Sequence, residues 1–113
     1  MEVEILYRPS YSVARVRLAA NEALLAETGA MVGMSAGVQL ETKMKGGFLK
    51  SLSRSVLGGE SFFVNTFRAP SHGGEILLAP TLPGDVFLLE LNNETYLVQS
   101  GSFMASSDGI QTD

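Results

Sequence analysis

The sequence holds one imidazole, His72, so any histidine-based general base, proton relay or metal ligand must use it. A cupin-like metal centre brings two or three imidazoles and a carboxylate to one point, and a single histidine falls short of that. The surrounding run Pro70-Ser71-His72-Gly73-Gly74 has turn composition, which predicts a solvated turn residue. A serine hydrolase meets the same shortage, because only one imidazole can act as base; Ser35 and Ser107 are expected to be turn hydroxyls. Gly58-Gly59-Glu60-Ser61 lacks the lysine of a phosphate-binding loop and follows a helical pattern instead of opening one, which predicts a helix cap and tight turn. Glu60, Glu75, Asp85 and Glu90 have the chemistry of a general acid and base pair. Nothing in their spacing brings two of them to glycosidase distances, and they are assigned to surface or turns.

The remaining cluster is basic. Lys43, Lys45, Lys50 and Arg54 are four of the eight cationic residues and stand beside Phe48, Leu49, Leu52 and Val56, which share one face at helical spacing. A helix over about residues 47–57 is expected, entered through Gly46-Gly47 and capped by Gly58 and Gly59. Two readings stay open. The apolar face docks on the protein's own core with the cations outward, or Lys43, Lys45, Phe48, Leu49, Lys50 and Arg54 contact an anionic membrane or protein surface.

These residues need a scaffold, and composition limits its kind. A chain of 113 residues is one domain, able to bury most of its unfolded surface. Twelve glycines against four prolines indicate many turns. The absence of cysteine removes disulfides, thiolate nucleophiles and cysteine-based zinc sites, and fits a reducing, cytoplasmic setting. A net charge of -4 disfavours broad nucleic-acid binding. No stretch of 18 apolar residues and no signal-peptide pattern is present.

Order along the chain is β. Residues 2–7 alternate and then meet Pro9, as an edge strand does; residues 11–18 put Ala14, Val16 and Leu18 on one side and Arg15 and Arg17 on the other. Residues 23–27 read as a strand. Gly29, Gly33 and Gly37 mark bends or bulges in the next one. Residues 61–68 read as a central strand, residues 75–79 as a short buried one, and Pro83-Gly84 as a type II turn. Residues 85–91 and 94–99 are apolar runs joined by Asn92-Asn93, which predicts a type I′ hairpin. The aromatics are expected in the core. Residues 27–41 and 99–113 align without a gap, Gly29 on Gly101, Ser35 on Ser107 and Gly37 on Gly109, which predicts an internal repeat whose second copy starts near residue 98. The expected fold is all-β: an antiparallel sandwich or double-stranded β-helix-like roll in one domain over residues 1–113, with one inserted helix.

The ordered pieces Gly29-Ala30-Met31 with Ser35, Lys45-Gly46-Gly47, Gly58-Gly59-Glu60-Ser61, Ala79-Pro80 with Pro83-Gly84-Asp85, and Gln99-Ser100-Gly101 with Phe103 resemble the altered inheritance of mitochondria protein 24 family across the whole chain. The resemblance implies a β fold of the tryptophan RNA-binding attenuation protein-like type, related to double-stranded β-helices and built from repeated halves. It implies a structural or membrane-organising role and no established reaction. Members usually run longer, into another β half, so strands missing here are expected from another subunit or from a longer polypeptide. Together these readings predict a non-enzymatic scaffold or interaction protein without cofactor. Such a protein self-associates, binds no nucleic acid, and is cytoplasmic or peripheral to a membrane. The alternative is a small-molecule-binding or enzymatic cupin relative.

Overall fold

The computed structural model describes residues 1–41 and 64–110, and these form two four-stranded antiparallel sheets. The strands are β1 (Glu2–Leu6), β2 (Val13–Leu18), β3 (Ala23–Glu27), β4 (Met31–Met34), β5 (Gln39–Glu41), β6 (Val64–Arg68), β7 (Gly74–Leu78) and β8 (Ala105–Ser107). The first sheet runs β1-β2-β7-β4 and the second β5-β6-β3-β8. The all-β expectation holds. The expected helix over 47–57, with Gly58 and Gly59, lies outside the described residues.

β2 shows why sequence alternation becomes a layered core. Ala14, Val16 and Leu18 are buried while Arg15 and Arg17 reach the outer face, as period-2 geometry requires. Its neighbours repeat the pattern: Val16 stands between Val3 of β1 and Ile76 of β7, and Ala14 between Ile5 and Leu78. Opposite, Leu24 of β3 faces Phe67 of β6. Ile76, Leu78 and Phe67 are the largest fully buried apolar side chains, and Ala26, Ala30, Val38 and Ala69 fill the space between.

The outer face of the first sheet is a charge ladder. Arg17 lies between Glu2 and Glu75 in register, and Arg15 pairs with Glu75 at 3.1 Å and Glu4 at 3.9 Å. Alternate positions of the same strands thus supply an apolar core inside and paired ions outside.

Turn glycines act where the backbone demands them. Gly29, Gly37 and Gly73 have φ of 95°, 93° and 83°, a region closed to most side chains. The β4 to β7 register shifts between Met31 and Gly33, the bulge expected there. Gly84 departs from expectation: it lacks positive φ, so Pro83-Gly84 is no type II turn. Gly101 sits in one turn of 3-10 helix at Ser100–Ser102.

The expected hairpin over residues 85–99 is also corrected. These residues form no strand, and only Asn93 of the Asn92-Asn93 pair has positive φ, whereas a type I′ turn needs both. Residue 85 follows β7, whose two edges are taken by β2 and β4, so the next run cannot pair beside β7. A second correction follows. Among the described Phe and Tyr residues, Phe67 is buried and Phe103 half-buried, but Tyr7, Tyr11, Phe87 and Tyr96 are exposed, so these four stand outside the core.

Candidate functional site

Residues 85–99 leave the sheets yet are fastened at their start. Asp85 receives Arg8 Nε at 2.9 Å and Arg8 Nη2 at 3.0 Å, a forked pair, and Ser12 Oγ donates to it at 2.7 Å. The Val86 amide also donates to its carboxylate at 2.9 Å. Arg8, then Ser12, hold the carboxyl well below the usual range, at about 2, because every one of these donors favours its charged form. Ser12 is buried and its amide donates to Gly84 O at 3.0 Å. The guanidinium of Arg8 lies 5.4 Å from the centre of the Phe87 ring, within cation–π range. Val86 packs on the core.

Beyond that clamp the side chains turn to solvent. Phe87 and Leu97 are 77% and 97% exposed, and Leu88, Leu89, Tyr96 and Val98 are about half exposed. Two apolar runs therefore lie uncovered, as unpaired backbone in a segment of strand-forming composition. Close to them in kind are the sheet ends. β4 closes the first sheet with Val32 62% and Met34 42% exposed. An open edge with apolar side chains is a template for another strand.

The ionisable candidates assemble differently. Arg17, Ser35, His72, Gly73, Gly74 and Glu75 line an open cleft of about 410 Å³, and Glu2, Glu4, Arg15 and Arg17 line another of about 300 Å³. Ser35 stands at the centre of Gly33-Met34-Ser35-Ala36-Gly37, which matches the Gly-x-Ser-x-Gly spacing of a nucleophile elbow and is the sequence signal for a serine nucleophile in this chain. Its setting differs from the elbow. Ser35 follows β4 and leads through a turn into β5 instead of a helix, and its Oγ accepts the Glu75 amide at 2.9 Å while its own amide donates to Glu75 O. The Glu75 carboxylate belongs to Arg15 and Arg17. His72 is exposed, as expected of a turn residue. The cleft's polar groups thus serve backbone and ladder.

Among the described residues no group of three or more His, Cys, Asp or Glu is placed to hold a metal, and no helix is long and apolar enough to cross a membrane. Glu75, Asp85 and Glu90 lie on different elements, Glu75 and Asp85 each already paired with arginine. Glu60 and the basic cluster of Lys43, Lys45, Phe48, Leu49, Lys50 and Arg54 lie outside the described residues.

Comparisons with known proteins agree with this architecture. An uncharacterized protein of Streptococcus pyogenes serotype M6 is 34% identical over 92 residues, covering 75% of this chain and 36% of that protein. The crystal structure of a Streptococcus pyogenes protein superposes with a TM-score of 0.73 at 27% identity, over 95% of this chain and 50% of that one. The chain therefore spans about half the length of the solved relative and about a third of the curated one. The model of the family described as mitochondrial biogenesis AIM24 matches residues 3–113, and the chain, with its two antiparallel sheets and its relatives of matching fold, belongs to that family.

Proposed function

We propose that this chain works by association, as a non-enzymatic scaffold or interaction module, and that the exposed apolar runs of residues 86–89 and 96–98 are its contact surface. The observation that carries this reading is the exposure of Phe87, Leu88, Leu89, Tyr96, Leu97 and Val98 beside a clamp that keeps their segment against the sheets. Full burial of such a side chain contributes about 1.5 to 3 kcal/mol. Phe87 and Leu97 start nearly fully exposed and the other four about half exposed, so together they contribute about 6 to 12 kcal/mol, comparable to an association cost of about 4 to 15 kcal/mol. No nucleic-acid partner is proposed, because the formal charge of -4 repels phosphate.

The competing reading, a small-molecule or enzymatic cupin-like site, would have to use the cleft of Arg17, Ser35, His72 and Glu75. Its serine and carboxylate are already engaged. Sedimentation velocity across a concentration series tests the proposal: the parent protein is expected to associate, and a Phe87→Ser, Leu97→Asp double variant to sediment as a folded monomer. A parent that stays monomeric, or a metal retained through chelation, would favour the cleft.

A further inference from the structure

The backbone repeats itself at one fixed offset. Ala30 N–H donates to Glu27 O at 3.0 Å and Ser102 N–H to Gln99 O at 2.8 Å; Val38 N–H donates to Ser35 O and Ile110 N–H to Ser107 O, both at 3.3 Å. Donor and acceptor numbers differ by 72 in each comparison. Asn21 and Asn93, also 72 apart, share φ of 59° and 55°, a conformation uncommon outside glycine. Residues 93–110 therefore repeat two turn hydrogen bonds and one asparagine conformation of residues 21–38, although Gly29 and Gly37 have positive φ and Gly101 and Gly109 do not; in that alignment residues 95–99 stand at the place of β3 and β8 at the place of β4.

That correspondence identifies what residues 95–99 lack. β3 is bordered by β8, with Leu24 opposite Ser107, Leu25 opposite Ser106 and Ala26 opposite Ala105. A first-half strand thus takes up a second-half strand. The reciprocal pairing, in which residues 96–98 take up a strand of the β4 kind, is absent among the described residues: residues 94–99 belong to neither sheet, and β4 ends the first sheet. β4 uses one edge for β7, Ser35 N–H beyond its end donating to Glu75 O at 2.9 Å, and no described strand pairs with its other edge.

We infer that residues 96–98 of one copy pair antiparallel with β4 of a second copy, Tyr96 opposite Ser35, Leu97 opposite Met34 and Val98 opposite Gly33. This rests on the association reading above and names its partner and register. The apolar content matches on both sides, since Leu97 would cover Met34 and neighbour Val32, each exposed in the isolated chain. The contact joins two different surfaces, so it is heterologous and propagates head to tail unless its rotation closes a ring.

The absence of native cysteine makes the test direct. Glu27 N–H donates to Met104 O at 2.8 Å, so Ala26 and Ala105 form the adjacent non-hydrogen-bonded pair, where side chains approach most closely. Val98 and Gly33 are their counterparts, and a Cβ added at Gly33 meets no atom within 4 Å. Val98→Cys and Gly33→Cys proteins, mixed in equal amounts and oxidised, are expected to form a covalent dimer on the order of tenfold faster than two reference samples. One is Tyr96→Cys mixed with Gly33→Cys, two residues out of register, and the other is Val98→Cys alone. Association by sedimentation with equal cross-linking in all three samples would overturn the register and the β4 partner while leaving the association reading standing. A folded parent that does not associate would overturn both.

Discussion

Arg8 grips Asp85 with two parallel hydrogen bonds across 77 residues of sequence, tying the turn after β1 to the first residue of the exposed segment. The pair is solvent-accessible, where ion pairs add little to global stability, and its effect is positional. Asp85→Asn is expected to lower the melting temperature slightly while the amides of residues 86–89 exchange hydrogen faster. Equal exchange in parent and variant would show that Val86 packing alone holds the segment.

The same contact gives a defined pH response. Asp85 is held at about 2 in the folded chain, below the value of about 3.9 expected when unfolded. A depressed carboxyl stabilises the fold above the unfolded value and loses that contribution as pH falls through the folded one. The stability difference between the parent and Arg8→Gln is therefore expected to be constant above about pH 5 and to shrink from about pH 4 to pH 2. Denaturant titrations along that series measure it, and a difference that grows on acidification would contradict the assignment.

Core substitutions should separate sharply from surface ones. Ile76 is fully buried between β2 and β4 partners, and Phe67 is 2% exposed. Ile76→Ala is expected to cost about 2 to 5 kcal/mol and Phe67→Ala about 3 to 5 kcal/mol. Leu82→Ala, at a residue 77% exposed, should fall within about 0.5 kcal/mol of the parent. Equilibrium urea unfolding distinguishes these outcomes.

Glycines sort in the same way. A Cβ at Gly73 would lie 2.7 Å from Leu18 O on a backbone with φ of 83°, so Gly73→Ala is expected to destabilise by about 1 to 3 kcal/mol. At Gly84 a Cβ meets nothing within 4 Å and φ is not positive. Gly84→Ala is expected to be neutral or to stabilise by about 0.4 to 1 kcal/mol through the unfolded chain. Thermal melts of the two variants should move apart from the parent in this order.

The core strands were legible because a local pattern specified them. Val13 to Leu18 alternate apolar and charged residues, and a strand with one face buried has no other arrangement that keeps Arg15 and Arg17 in water. His72 as an exposed turn residue was legible for the same reason, from Gly73 and Gly74 beside it. Ser35 was read as a turn hydroxyl, and the structure shows it following β4 with its Oγ on the Glu75 amide. Its partner lies 40 residues away, and no spacing within the motif discloses that.

By itself, the sequence determined the β class and the inward and outward faces of β2, and it marked Gly29 and Gly37 as places where the backbone bends. These depend on side-chain polarity and backbone sterics within a few residues. Tertiary structure alone decided that residues 85–99 join neither described sheet, and that they cannot extend beside β7, both of whose edges β2 and β4 occupy. It also decided that Phe87 and Tyr96 face solvent although they sit in runs as apolar as β7. Burial requires a second surface, and where that surface lies is set by chain topology and not by the residues of the run.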